Sequence, residues 1–119
     1  MTTLEINSPQ IKEVDLDDPA TKRPAQLTKA LGHPVRLAIL KLLTQRDTCF
    51  CGDFTDVLPL AQSTVSQHLK VLKDTGLITA TSSGVRTCYC LSQDGIDELS
   101  ECLKSLSSMF DTGNRPDCC

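Results

Sequence analysis

No apolar run in the chain approaches the roughly 20 residues that a membrane-spanning helix needs, which argues against an integral helical membrane protein. The first residues, Met1-Thr2-Thr3-Leu4-Glu5-Ile6, lack the basic region and apolar core of a secretory signal, so a cytoplasmic location is expected. There is no Cys-x-x-Cys redox pair and no Gly-rich phosphate loop, and the two histidines leave no spare base for a nucleophile. Those absences argue against an enzyme. Internal repeats and low-complexity tracts are missing too. Sulfur, by contrast, is plentiful, with seven cysteines. An odd number cannot form a fully paired intrachain framework. In a reducing compartment most should stay thiols and act as ligands or redox groups.

At 119 residues the chain is one domain on length alone, small enough that an oligomer interface would help its stability. The net charge of −3 counts mildly against a nucleic-acid partner. Its distribution says otherwise. Glu5, Glu13, Asp15, Asp17 and Asp18 lie near the start, and Asp94, Asp97, Glu98, Glu101, Asp111 and Asp117 follow Leu91. Between Gln62 and Lys73 there is no acidic residue.

Residues 1–23, interrupted by Pro9 and Pro19, are expected to be an N-terminal arm. A helix is predicted from Pro24 to Leu31, stopped by Gly32. A second opens at Pro34, with Val35, Ala38, Ile39, Leu42 and Leu43 on one face. Asp53 to Leu58 reads as a short helix ended by Pro59. The next helix takes Ser63 as its N-cap, turns Val65, Leu69 and Leu72 inward, and stops at Gly76. Leu77–Thr81 and Val85–Leu91 read as strands joined by a three- to four-residue turn at Ser82-Ser83-Gly84. From Asp94 to Phe110 the apolar residues Ile96, Leu99, Leu103, Leu106 and Phe110 make a narrow stripe suited to a homodimer interface. Residues 111–119 are expected to be a flexible, cysteine-containing tail. The predicted fold is mainly α with a small β wing: a winged helix-turn-helix over residues 24–110, dimerising through its terminal helices.

In such a unit the second helix of the motif enters the major groove and needs short polar side chains at its start. Gln62, Ser63, Thr64, Ser66, Gln67 and His68 supply them. Gln can pair with adenine, and Ser or Thr can serve several bases. Lys70 and Lys73 suit phosphates, and Arg86 on the hairpin could reach the minor groove or the backbone.

Three segments together carry a family resemblance: Leu31-Gly32-His33-Pro34-Val35-Arg36-Leu37-Ala38-Ile39-Leu40, Cys49-Phe50-Cys51, and the run from Gln62-Ser63-Thr64-Val65-Ser66-Gln67-His68-Leu69 through Ile78. The chain resembles the ArsR/SmtB family of bacterial metal-responsive repressors over roughly residues 24–110. The resemblance implies a homodimer that sits on an operator near its own promoter and leaves when an inducer binds. The operator should be an inverted repeat, read by recognition helices about one helical turn apart. One branch of the family senses zinc-like ions through Asp and His on the last helix, and Asp94–Phe110 contains no His. The branch this chain is similar to carries a Cys-x-Cys ahead of the motif, matched by Cys49 and Cys51. Arsenic-sensing members often have a third Cys three residues on. Here that position is Phe54, and Gly52 also departs from the pattern.

Two thiols at i and i+2 diverge on a helix but share a face in extended backbone, so a bound ion at Cys49 and Cys51 favours a strand. Cys88 and Cys90 form a second such pair on a predicted strand. If residues 48–51 pair with that strand, four thiols gather. Three would suit trivalent arsenic or antimony, and four would suit cadmium, lead or zinc. Cys118 and Cys119 are an alternative source of sulfur, and Cys102 reads as a small buried hydrophobe. No constitutive cofactor is expected. The function expected is a repressor released from double-stranded operator DNA by As(III) or Sb(III). A Cd(II)/Pb(II) sensor and a thiol redox or persulfide switch are the alternatives.

Overall fold

A computed structural model describes residues 13–45, 47–111 and 113. Helix α1 spans Pro19–Leu31 and α2 spans Pro34–Gln45. Strand β1 is Cys49–Phe50, followed by a single 3-10 turn at Phe54–Asp56. Helix α3 is Gln62–Thr75, strands β2 and β3 are Ile78–Ser83 and Arg86–Leu91, and α4 is Gln93–Phe110. The three strands form one antiparallel sheet in the order β1-β3-β2. No described helix is long and apolar enough to cross a membrane.

Several boundaries differ from the predicted ones. Helix α1 begins at Pro19, with Asp18 capping the Ala20 amide, and takes in residues assigned to the arm. Pro19 fills the first helical position, where its missing N–H costs nothing, while Pro24 lies inside the helix. Helix α3 starts at Gln62, with Ala61 as an N-cap that makes no side-chain bond, so Ser63 is not the cap. The short helix after Asp53 is only the 3-10 turn, capped by the Asp53 carboxylate on the Thr55 amide. The hairpin closes through Gly84-Val85 alone, since Ser83 pairs with Arg86; Gly84, at φ 65°, supplies the left-handed residue that so tight a turn needs.

The core gathers residues from every helix. Leu27, Ile39, Leu43, Val65, Leu72, Leu77 and Ile78 are almost wholly buried. Each such side chain contributes about 1.5–3 kcal/mol of hydrophobic stabilisation. No polar or charged residue among those described is fully buried. Val65, Leu69 and Leu72 are the inward face of α3, as the spacing predicts. Helix α4 crosses the turn after α3 very closely. A Cβ on Gly95 would lie 2.8 Å from the Gly76 carbonyl carbon and would overlap its oxygen. Arg23 of α1 ties the same corner, with its guanidinium on both Glu98 carboxylate oxygens at 2.6 and 2.8 Å and on the Thr75 carbonyl at 2.9 Å. On α4 only Leu99 of the predicted stripe is buried. Ile96 and Leu106 are half-buried, and Leu103, Met109 and Phe110 are exposed.

Candidate thiol and DNA-contact site

The two Cys-x-Cys pairs meet across β1 and β3. The register sets Cys49 opposite Cys90 and Phe50 opposite Tyr89. The Leu91 amide donates to the Thr48 carbonyl at 2.7 Å, which makes Thr48 and Leu91 a hydrogen-bonded pair. Cys49 and Cys90 therefore occupy the next, non-hydrogen-bonded position, and Cys51 and Cys88 the one beyond Phe50 and Tyr89. At such positions backbones approach most closely and side chains are nearest. The Cα atoms are 4.0 Å apart in both cysteine pairs.

Because strand side chains alternate, all four sulfurs stand on one face of the ribbon, while Phe50 and Tyr89 stand on the other. The sulfur face is accessible, with Cys49 and Cys51 exposed and Cys88 and Cys90 half-buried. The extended backbone at Cys49 is what a shared ligand requires. Sequence alone kept these sulfurs as thiols; the structure joins them as Cys49–Cys90 and Cys51–Cys88 disulfides. The cause is the register, which brings facing thiols within bonding reach. Facing thiols this close interconvert between dithiol and disulfide by thiol–disulfide exchange. Cys102 is the one free cysteine among the described residues and packs beside the core on α4. Cys118 and Cys119 lie outside the described residues.

The opposite face of the ribbon is aromatic. Phe54 is buried, with its ring 4.6 Å from Phe50 and 5.7 Å from Tyr89, centroid to centroid. The position that would hold a third family cysteine thus points into the core, away from the sulfurs. Gly52 has a local reason as well. A Cβ there would come 2.7 Å from the Phe50 ring, so any side chain at this position requires that ring to shift. Just before β1, Asp47 and Thr48 hold φ of 56° and 70°. For a β-branched threonine that is a strained conformation, placed immediately ahead of Cys49.

Next to this ribbon lies α3. Gln62, Ser63, Ser66, Gln67, Lys70 and Lys73 are exposed along it, and Thr64 is half-buried. Lys70 forms an exposed ion pair with Asp74 at 2.7 Å. Arg86 is exposed at the start of β3, beside the hairpin tip. His68 is placed differently from the other predicted DNA contacts. It is half-buried, its ring centroid is 4.2 Å from that of His33, and its Nδ1 is 3.2 Å from Arg36 Nη1. Burial first, then the neighbouring His33 and Arg36, pushes the His68 imidazole below its ordinary pKa. His33 itself accepts from the Val35 amide at 3.1 Å and caps α2. Arg36 also donates to the carbonyls of Ala30 and Lys29, locking α1 to α2. His68 therefore ties α3 to α2 and to the turn that precedes it.

Sequence reasoning missed Phe50, Phe54 and Tyr89 as parts of the site. Their signal was present, since one aromatic stands between the cysteines of each pair.

This geometry, an exposed polar helix set between a helical core and a β hairpin, defines a winged helix-turn-helix DNA-binding protein. Residues 31–80 match the model of a helix-turn-helix domain. The chain is 37% identical to the arsenical resistance operon repressor of Bacillus subtilis strain 168, over 79% of this chain and 88% of that one. It is 41% identical to the transcriptional repressor SmtB of Mycobacterium tuberculosis strain H37Rv over 66 residues, 56% of this chain and 48% of that one. The fold of a crystallised ArsR family transcriptional regulator superposes with a TM-score of 0.64 at 16% identity, covering 76% of this chain and 93% of that one. The chain belongs to the ArsR/SmtB family of transcriptional repressors and is not an enzyme.

Proposed function

We infer that this repressor is a homodimer that holds inverted-repeat operator DNA when its thiols are reduced and empty. It lets go when As(III) or Sb(III) binds among Cys49, Cys51, Cys88 and Cys90. The observation that carries this is the register of β1 on β3, which gathers four sulfurs from distant parts of the chain on one accessible face. Soft thiolates select thiol-seeking ions over oxygen-loving ones. The relatives named as arsenical resistance repressors support arsenic within that class. On the DNA side, Gln62, Ser63, Thr64, Ser66 and Gln67 face bases, while Lys70, Lys73 and Arg86 face phosphates. The exposed apolar residues Leu103 and Met109 on α4 fit a dimer seam. Cys118 and Cys119 could add sulfur to the site when it is loaded.

A gel-shift titration with arsenite tests this. Wild-type protein should release DNA as arsenite rises, and the Cys49→Ser/Cys51→Ser protein should hold on. Release of that variant at the wild-type arsenite concentration would remove the site from the account. Thiolate charge-transfer spectra with arsenite, cadmium and lead, taken on single Cys→Ser variants, count the sulfurs each ion recruits.

The joined sulfur pairs favour one further reading, in which oxidation or persulfide chemistry at the same four cysteines is the signal. It predicts DNA release by oxidant and recovery with reductant, with no metal added.

A further inference from the structure

We propose that Tyr89 is the positioning residue that carries a change at the four-cysteine array to the recognition helix α3. This rests on the reading of the array as the sensor and names the side chain that transmits its signal. Tyr89 stands between Cys88 and Cys90 in β3, so anything that draws those two sulfurs toward β1 moves the Tyr89 backbone with them. Its ring leaves the strand on the opposite face, half-buried and edge-on to Phe54. Phe54 in turn packs on Phe50, which stands between Cys49 and Cys51. Both strands of the array thus press an aromatic ring on the residue that opens the 3-10 turn ahead of α3.

The same tyrosine also reaches α3 directly. It borders two grooves beside that helix and the wing. One groove, of about 520 Å³, also takes in Gln62, Leu69 and Arg86. The other takes in Ser66, Lys70 and Lys73. Where the Tyr89 ring meets the buried Phe54 the packing is close, so a displacement toward that side must move Phe54. Tyr89 lies where that displacement would tilt the wing against the DNA-facing side chains.

The test uses the full-length reduced chain and a duplex that the wild-type protein selects from a random-sequence pool. Two triggers are applied separately, arsenite and the thiol oxidant diamide. Family-scale coupling would lower wild-type DNA affinity by about 5- to 150-fold. Tyr89→Leu leaves all four cysteines in place, so it should bind arsenite with wild-type stoichiometry, and its response is read as the ratio of its own DNA affinities with and without trigger. Either trigger should then change its DNA affinity by less than about twofold. Tyr89→Phe, which keeps the ring, should restore the wild-type response. Tyr89 is the only tyrosine and there is no tryptophan, so the intrinsic emission of the wild-type protein reports on this ring alone. Its quenching by acrylamide should change when arsenite binds. The proposal is overturned if Tyr89→Leu releases DNA as the wild type does, if Tyr89→Phe fails to restore release, or if wild-type release leaves the tyrosine emission unaltered. A wild-type protein indifferent to both triggers would overturn the sensor reading and this inference together.

Discussion

Replacing Phe54 with cysteine would place a thiol at the position where the family resemblance implies a third one. The structure says this should damage the protein without improving the site. Phe54 is 3% exposed, and its ring fills the space between Phe50 and Tyr89. Emptying a buried phenylalanine down to alanine costs about 3–5 kcal/mol. A sulfur atom refills part of that cavity, leaving a loss of about 2–4 kcal/mol. That is a large share of the roughly 5–15 kcal/mol a domain has. With a urea slope of about 1–3 kcal/mol per molar, the midpoint should fall by on the order of 1–2 M at fixed protein concentration. The new thiol would sit on the aromatic face of the β1–β3 ribbon, opposite the four sulfurs. Arsenite affinity and the count of bound sulfurs should therefore be those of the wild type. A variant that keeps its urea midpoint, or that binds arsenite more tightly with one more sulfur, would refute the two-faced arrangement.

Gly95→Ala should destabilise the fold by about 1–3 kcal/mol despite alanine's better helix propensity, because the added carbon meets the Gly76 carbonyl and backbone cannot swing aside; a melting temperature at or above wild type would contradict this. His68 is held below its ordinary pKa, so the unfolded chain takes up its proton more readily than the folded one. Its contribution is full above about pH 6.5 and is lost as pH falls through the lowered folded value. Urea midpoints taken down to about pH 5.5 should drop more steeply for the wild type than for His68→Gln, and parallel curves would count against it. Arg23→Ala should cost about 1 kcal/mol, discounted for the exposure of the pair. The hydrogen bond from Arg23 holds the Glu98 carboxyl below its usual range, so this difference should be present near neutral pH and vanish as acid protonates Glu98. A gap that persists in acid would assign the loss to the Thr75 contact.

Much of this arrangement was legible in the chain. The 3.6-residue spacing of Val65, Leu69 and Leu72 named the inner face of α3 because burial alone decides it. The acid-free stretch from Gln62 to Lys73 marked the outer face for the same electrostatic reason that DNA would. Alternation in Cys49-Phe50-Cys51 and Cys88-Tyr89-Cys90 implied shared faces once the strands were allowed to pair. Local rules failed where tertiary contacts outweigh them. Pro24 sits inside α1 because the helix is fixed from Asp18 at one end and through Arg23 at the corner with α3 and α4. Ser63 is not the N-cap because α3 starts at Gln62, directly after Ala61, and Ser63 is already its second residue. The place of His68 in the motif fits either packing or DNA contact, and its neighbours His33 and Arg36 lie more than thirty positions away, where no local pattern reveals them.

Strand β1 is two residues long and lies at an edge, yet it closes large circuits of chain. Cys49 and Cys90 are 41 residues apart, and Cys51 and Cys88 are 37 apart. Any clasp across the first pair, whether a metalloid or a sulfur–sulfur bond, removes unfolded conformations worth about 4 kcal/mol. An occupied sensor should thus outlast an empty one against heat and proteases. The cell would then retain the copies that have already met the signal and clear those that have not.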